Sequence, residues 1–509
     1  MAIQDELGSS KWEQEHKKRI EQYERQVNSL YFAISAELVQ LGMQAEPLSG
    51  KVFSFSYHHT LNNKSKKILK GFHDRLVAII QTGVKQEWEF SNKKNDTWAQ
   101  EIYSNPPKKY LNHNTKALKQ FQQRKVYGEA LSDRVWRYTD QFKEQIEYTL
   151  DIGIRDGLSA TEIARNLKKY LKEPDRLFRR IRDNKGGLTL SKAAKSYHPG
   201  QGVYRSSLKN ALRLIRERAN TAYRESDYLR WQQSDLIVGI RIQTSRGHKE
   251  WLEKDWYPRF KAGEAPLEIC DQLEGVYPKS FKFIGWHVQC KCFATPIFKG
   301  EAQEVRDVPM QFKQWLKNNK DRIAIAEYKG NTPHFLIEND QYVNLRKYRA
   351  SDTLKNAIDS REEYLSYDSN KWRRDLFVKG NGGYLVTSKQ RIEHAKISKN
   401  EWAKFKKEFE MCKIFAEGGN KMRLLPERSG VSSPDVKIND IPADLKRTSS
   451  HHNIAKYARK AVCRQGAEMV LFQFDNDTPE IHVELIELRK AGIHGKYFFS
   501  GNKKRIYDF

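Results

Sequence analysis

The stretch Ser433-Pro434-Asp435-Val436-Lys437-Ile438-Asn439-Asp440-Ile441-Pro442-Ala443-Asp444-Leu445-Lys446 decides how the C-terminal region is interpreted. Two short strand-like segments flank Asn439-Asp440, a dipeptide typical of turns, so the sequence predicts a hairpin. Side chains alternate along a strand, so Asp444 and Lys446 are expected on one face. The hairpin would also bring Asp435 near them. Two carboxylates and an ammonium would then share one pocket.

Such a pocket suits metal-assisted hydrolysis. Asp435 and Asp444 are predicted Mg²⁺ ligands, because Mg²⁺ prefers hard oxygen donors. The metal would activate water and neutralise phosphate, and Lys446 would position that water or stabilise developing charge. An acid from the preceding helix would complete the catalytic set. Glu408, which flanks the apolar face of that helix, is preferred to Glu410, which is expected to point further toward solvent.

The residues after Lys446 offer an alternative catalytic set, Thr448, His451 and His452. A histidine there could act as general acid or base in a metal-free cleavage of RNA. Alternatively, the two histidines only begin the next helix and contact phosphate. That helix, expected from about Asn453 to Gln465, carries four basic residues that could bind a phosphate backbone: Lys456, Arg459, Lys460 and Arg464. An ordinary solvated helix face is the competing interpretation.

The segments around the hairpin follow an α/β order. A helix is predicted over 400–417, followed by strands at 423–425, 436–438 and 443–446. The helix at 453–465 then leads to a buried-type strand over 469–474. A further helix over 481–490 and a final strand pair complete the pattern.

Pro434-Asp435 and Asp444-Leu445-Lys446 resemble the two halves of the PD-(D/E)xK nuclease motif. Residues 398–509 also resemble the C-terminal tRNA-nuclease domain of contact-dependent growth inhibition toxins. The residues that carry this second resemblance are Lys407-Glu408-Phe409-Glu410, Leu425-Pro426-Glu427, Ser433-Pro434-Asp435, Ile441 to Thr448, and Gln465-Gly466-Ala467-Glu468. It implies a toxin that cleaves RNA, tRNA in particular, with an immunity protein as a further expected partner. The residues alone do not separate RNA from DNA, so a DNA endonuclease using the same site stays open.

A second chemical cluster lies in the middle of the chain. Cys270, His287, Cys290 and Cys292 could supply four zinc ligands, although Cys-x-Cys is tighter than the usual spacer. A disulfide from Cys270 to either later cysteine is an alternative, and so are plain buried thiols.

The same region carries a further resemblance. Arg218 to Tyr223, Cys270 to Gly275 and His287 to Cys292 resemble the phage head morphogenesis family, the minor head proteins of the Mu F type, over residues 120–300 or so. The family's Pro-His-Pro-x-Cys-Arg-Cys is partly kept, with Trp286 and Val288 in place of the prolines and Lys291 in place of the arginine. The resemblance implies a structural protein of the virion, in contact with portal and capsid proteins.

The sequence as a whole therefore predicts a multidomain protein. We expect a mainly α-helical head-protein region over 1–235, its Cys-containing α+β part over 236–300, and a linker region over 301–395. A C-terminal α/β nuclease domain of PD-(D/E)xK-like type is expected over 396–509. Taken together, the resemblances imply a toxin loaded into a phage particle. A purely structural head protein, whose C-terminal domain only binds nucleic acid, is the competing function.

Charge and hydropathy set limits on this hypothesis. The 509 residues hold 91 Lys and Arg against 64 Asp and Glu, a net charge of +27. This excess favours a polyanionic partner such as nucleic acid, although a basic protein without such a ligand would share it. No apolar run approaches the roughly 18 residues of a membrane span. The N-terminus lacks a signal-peptide pattern, so we expect synthesis in the bacterial host cytoplasm, where the nuclease would also act.

Overall fold

The structure, a computed structural model, describes residues 9–46, 51–126, 128–173, 181–182, 188–189, 204–261, 263–427 and 433–509. The chain divides into two compact units. The N-terminal unit comprises Met1–Asn319 and Asn331–Leu345, and the C-terminal unit comprises Lys320–Gly330 and Arg346–Phe509. Among the described residues, no helix has the length and apolar character needed to cross a membrane.

The N-terminal unit is mostly helical, as the sequence predicts. Its helices are α1 (Ser9–Gly42), α2 (His59–Ile102), α3 (Thr115–Gln123), α4 (Leu131–Arg155), α5 (Ala160–Lys172), α6 (Ser207–Gln233), α7 (Arg246–Trp251), α8 (Ile269–Gln272), α9 (Met310–Asn318), α11 (His334–Ile337) and α12 (Asp340–Val343). Helices α1, α2, α4, α5 and α6 share one apolar core. The near-3.5-residue spacing of Tyr23, Val27, Leu30 and Ile34 on α1 puts all four in that core.

A small sheet completes this unit. Strand β3 (Ile237–Gln243) lies between β4 (Gly275–Tyr277) and β5 (Phe293–Phe298), and it is antiparallel to both. The predicted α+β part over 236–300 is therefore present. A short antiparallel pair, β1 (Ile181–Arg182) and β2 (Leu188–Thr189), precedes it in the chain.

The C-terminal unit is built on an eight-stranded mixed sheet in the order β13-β12-β11-β10-β9-β8-β7-β6. The strands are β6 (Trp372–Phe377), β7 (Tyr384–Ser388), β8 (Lys421–Leu424), β9 (Val436–Ile438), β10 (Ile441–Thr448), β11 (Met469–Phe474), β12 (Gly495–Phe499) and β13 (Asn502–Asp508). The helices are α10 (Lys320–Tyr328), α13 (Asp352–Ser366), α14 (Lys389–Ala395), α15 (Lys399–Glu417), α16 (Ile454–Gln465) and α17 (Pro479–Lys490). Strands β7, β8, β10, β11 and β12 run in one direction, and β6, β9 and β13 oppose them.

The predicted boundary at residue 396 is wrong. Residues 346–395, which we expected to be part of a linker, supply α13, α14 and two strands of the sheet. All five residues of β7 are buried. The alternation of the edge strand β6 is interrupted by charged residues, which commonly protect sheet edges. The glycine-rich segment between β6 and β7 connects these two paired strands.

Each face of the central sheet has its own apolar layer. Leu445 and Leu471 point to the layer formed with α14 and α15. Their neighbours Val470 and Phe472 point to the layer formed with α16 and α17. Asp444 and Lys446 pair in register with Val470 and Phe472, so they lie on the α16 side of the sheet.

Candidate active site in the C-terminal unit

The predicted hairpin between β9 and β10 is confirmed. Ile441 pairs with Ile438 and Ala443 pairs with Val436, so only Asn439 and Asp440 form the turn. Both turn residues have positive φ, 49° and 71°. This is the left-handed backbone of a tight hairpin turn, and Asn and Asp adopt it more readily than most residues.

The hairpin brings Asp435 to Asp444 and its neighbours. Continuing the register by one residue sets Asp435 opposite Asp444, and the Leu445 amide donates to Asp435 Oδ2 at 3.4 Å. The Lys446 ammonium forms an ion pair with Asp444 Oδ2. It also donates to Gln465 Oε1, at the end of α16, at 3.1 Å. The predicted trio of two carboxylates and a lysine therefore lies together in the structure.

Asp444 is the most unusual group of the trio. Its residue is 0% exposed, yet among the described residues neither carboxylate oxygen accepts a hydrogen bond of acceptable geometry. Burial raises the pKa of Asp444, and the adjacent Asp435 carboxylate raises it further. The Lys446 ammonium opposes both effects, and the resulting pKa is about 7. A buried, unsatisfied acid costs folding free energy and is typical of functional sites.

Glu408 is buried as expected, but it does not face Asp444. Arg391 of α14, 3% exposed, donates from Nη2 to Glu408 Oε2 at 2.5 Å. The same nitrogen lies 3.7 Å from Asp435 Oδ1. Glu408 belongs to α15, on the opposite side of the sheet from Asp444. Arg391 therefore stands between the predicted third acid and the Asp435 carboxylate.

A further acid, Glu427, extends this network. It pairs with Arg391 at 3.2 Å, with His394 at 2.7 Å and with Lys404 at 2.8 Å. Sequence reasoning missed Arg391 and Gln465 and assigned no role to Glu427. Arg391 lay in the expected linker, where nothing signalled a buried cation, and the contact of Gln465 with Lys446 depends on how α16 packs on the sheet.

The remaining catalytic candidates from the sequence, Glu410, Thr448, His451 and His452, lie in three different places. Glu410 is exposed on α15, so it lies away from the trio. The Thr448 hydroxyl accepts from the Ser450 amide at 3.1 Å and donates to the Ser450 carbonyl at 3.0 Å, so it holds a local turn. His451 and His452 form a short 3-10 turn just before α16, with ring centroids 3.9 Å apart.

The four basic residues of α16 are exposed and lie on one broad face of the helix: Lys456, Arg459, Lys460 and Arg464. No described carboxylate forms an ion pair with any of them. Helix α16 is also the element that carries Gln465. The exposed basic face and the buried trio are therefore joined through one helix.

Asp435 and Asp444 fit a divalent cation. Mg²⁺ is commonly held by one or two carboxylates, with the remaining positions left to water and substrate oxygens. A cation would join the Lys446 ammonium beside the Asp444 carboxylate, whose oxygens accept no hydrogen bond of acceptable geometry. Among the described residues, the clusters of three close ligands do not include either residue. Glu408 is therefore not placed as a third ligand.

The structure also collects the cysteines predicted in the N-terminal unit. The sulfurs of Cys270, Cys290 and Cys292 lie within 4.8 Å of one another, and His287 Nε2 lies 3.1 Å from Cys270 Sγ.

Comparison of the chain with models of protein families, with curated proteins and with solved structures finds no match to any of them. The resemblances drawn from the sequence motifs therefore remain expectations.

Proposed function

We propose that the C-terminal unit is a metal-dependent nuclease that cleaves RNA, with tRNA as its substrate. The observation that carries the proposal is the buried carboxylate of Asp444, which lies beside Asp435 and has an ion pair with Lys446 but no hydrogen bond of acceptable geometry. Asp444 is held at the centre of a sheet where an apolar residue would be more stable. A site for a cation and a phosphate explains why an acid stands there.

Each residue has a role in this proposal. Asp435 and Asp444 would hold Mg²⁺, which when bound supplies a polarised water and a positive charge beside the scissile phosphate. Lys446, held by Asp444 and Gln465, donates hydrogen bonds to the phosphate oxygens as negative charge develops. Arg391 orients the Asp435 carboxylate, and Glu408 fixes Arg391. Glu408 is thus a positioning residue in this proposal.

Substrate binding is assigned to the basic face of α16. Lys456, Arg459, Lys460 and Arg464 would contact successive phosphates, a type of contact that is independent of sequence and sensitive to salt. The choice of RNA over DNA rests on the resemblance of residues 398–509 to tRNA-nuclease toxins. The net charge of +27 favours either polyanion.

The proposed role of the N-terminal unit rests on its resemblance to minor head proteins. In this proposal that unit carries the nuclease in a virion, next to portal and capsid proteins, and an immunity protein protects the producing cell. Release of the chain from purified particles by capsid disruption, and its absence from the soluble phage lysate, would support this location.

The decisive experiment offers tRNA and plasmid DNA to the full-length protein, with Mg²⁺ or with EDTA. We expect tRNA cleavage that requires Mg²⁺ and falls at least about 100-fold in Asp444→Asn and in Lys446→Ala. Asp440→Asn is the matched control, because it makes the same chemical change in the exposed turn of the same hairpin. Cleavage of the plasmid but not of tRNA would show that the substrate is DNA. Cleavage that persists in EDTA but is lost in His451→Ala would show that the alternative set, Thr448, His451 and His452, carries out catalysis without a metal.

A further inference from the structure

The three clustered cysteines of the N-terminal unit are buried and reduced. Cys270, Cys290 and Cys292 are each at most 1% exposed, and none forms a disulfide. The Cys270 and Cys290 sulfurs are 3.7 Å apart. That is far longer than the S–S bond of about 2.0 Å. It matches the separation of about 3.8 Å between two sulfurs that each lie about 2.3 Å from a tetrahedral zinc ion.

His287 approaches the cluster from the side of Cys270, and its ring nitrogens do not lie within 4.8 Å of all three sulfurs. Its Nδ1 faces the Val288 carbonyl at 2.8 Å, which fixes that nitrogen as the donor and leaves the lone pair of Nε2 directed at Cys270, 3.1 Å away. Metal-binding histidines are commonly held by a hydrogen bond of this kind. Glu268 also approaches: its Oε1 lies 3.4 Å from His287 Nε2, and its Oε2 caps α8 by accepting from the Cys270 amide at 2.7 Å.

The backbone around the cluster is built to hold it. Gln289, between His287 and Cys290, has a φ of 68°, so the chain makes a left-handed turn between these two residues. Arg224 of α6 donates to three carbonyls of the same loop, those of Ile284, Cys290 and Cys292, at 3.0, 2.8 and 2.7 Å. Gly285 has a φ of 104°, a conformation that residues with a side chain rarely adopt, and a Cβ there would also come within 2.5 Å of the Arg224 guanidinium.

Arg224 also supplies the charge that such a centre needs. Three thiolates and a neutral imidazole give Zn²⁺ a net charge of −1. A guanidinium fixed against the carbonyls of two of the ligand residues offsets that charge. Three buried thiols without a metal would instead leave a positive group among neutral sulfurs.

We propose that Cys270, Cys290, Cys292 and His287 bind one structural zinc ion, which ties α8 to the loop before β5. The three sulfurs already lie within 4.8 Å of one another, and with His287 the protein would fill all four positions, as in a structural site. The proposal is independent of the nuclease, which lies in the other unit.

Metal analysis of the full-length protein, purified without added chelator, tests the proposal. We expect about one zinc ion per chain, and below about 0.2 in Cys270→Ser or Cys292→Ser, if the site is the only one. Cys463→Ser changes an exposed cysteine in the other unit and should retain the metal. Because a Cys270 variant could fail to fold, the wild type is also stripped of metal by a chelator and refilled with Co²⁺. Sulfur-to-cobalt charge-transfer absorption would then report thiolate ligation directly.

Three outcomes would overturn the proposal. The first is a metal-free protein with five titratable thiols that takes up no Co²⁺, which leaves plain buried cysteines. The second is a protein with three titratable thiols after denaturation, which indicates a disulfide. The third is a metal content that the Cys463 variant loses and the Cys270 variant keeps. If His287→Ala retains zinc and Glu268→Gln loses it, the cysteine ligands stand and His287 is replaced by Glu268.

Discussion

Buried acids in the two units have opposite surroundings. Glu87 of α2 is 0% exposed, like Asp444, but it accepts from Arg19 Nε at 2.7 Å and from the Tyr23 hydroxyl at 2.8 Å, and it pairs with His16 at 2.6 Å. Burial alone would raise the pKa of Glu87, but His16 and Arg19 overcome that effect and hold it below its usual value. Within the described part of the chain, Asp444 has an ion pair with Lys446 but no hydrogen bond, and its pKa is raised.

Nearby Asp227 of α6 repeats the pattern of Glu87. Its carboxylate accepts from Lys94 at 2.5 Å, Ser91 at 2.7 Å and Asn95 at 2.8 Å. A fully satisfied network rigidifies the helical core. Its own donors occupy the carboxylate oxygens, so the acid needs no further partner. An unsatisfied acid in an equally buried place keeps its binding capacity for something outside the protein. Hydrogen-bond satisfaction, more than burial, therefore separates the structural acids from the candidate functional one.

The largest expected effect is on the satisfied acid. Glu87→Ala leaves His16 and Arg19 without their buried partner, so the free energy of unfolding of the N-terminal unit should fall by about 3–5 kcal/mol. Urea unfolding followed by hydrogen exchange of α2 peptides measures it. The control is Glu89→Ala on the same helix, which breaks only an exposed pair with Lys85 and should cost under about 1 kcal/mol. Equal losses of stability in both variants would mean that the buried network of Glu87 stabilises the unit no more than an exposed ion pair does.

The same measurement on Asp444 should give the opposite sign. Asp444→Asn removes a buried charge together with its ion pair to Lys446. Because burial and Asp435 outweigh that ion pair and leave the pKa of Asp444 raised, the metal-free C-terminal unit should gain about 1–3 kcal/mol in unfolding free energy at pH 8. Asp440→Asn, in the exposed turn, serves as the control and should cost no more than its exposed ion pair with Arg423, under about 1 kcal/mol. A clear loss of stability in Asp444→Asn would mean that the acid is structural, like Glu87.

The pH dependence sharpens the contrast further. Folding raises the pKa of Asp444 to about 7, whereas the unfolded carboxyl releases its proton near its ordinary value of about 4. The folded state therefore binds more protons between these limits, and stability falls as pH rises through them. Thermal unfolding of the metal-free protein should show the C-terminal unit weaker at pH 8 than at pH 5.

Two comparisons test whether Asp444 causes that pH dependence of stability. Asp444→Asn should flatten the loss between pH 5 and 8. Mg²⁺ should restore stability at pH 8 and much less at pH 5, because a protonated carboxyl does not bind the cation. A Mg²⁺ effect that is the same at both pH values, or that persists in Asp444→Asn, would place the cation elsewhere.

Local signals in the sequence were enough to predict the hairpin between β9 and β10. The Asn439-Asp440 turn and the period-two pattern predict the strand register, and with it the meeting of Asp435, Asp444 and Lys446. The cysteine cluster was predicted from residue type and spacing alone. The partner of Glu408 could not be found this way, because Arg391 reaches it only once α14 packs against α15. The strands β6 and β7 were missed because an edge strand rich in charge and a short buried strand give weak periodicity.

The smallest expected effect concerns the exposed face of α16. Lys456→Ala or Lys460→Ala should weaken RNA binding a few-fold, and the slope of log affinity against log salt should fall by about one for each phosphate that is no longer neutralised. Lys407→Ala is the matched control, because Lys407 is exposed on α15, on the other side of the sheet. Fluorescence anisotropy with labelled tRNA and the cleavage-deficient Asp444→Asn protein separates binding from catalysis. If the α16 and α15 changes reduce the slope equally, binding reflects the overall charge of +27. The basic face of α16 would then be an ordinary solvated helix face, and only the trio Asp435, Asp444 and Lys446 would remain as evidence for a functional site in the C-terminal unit.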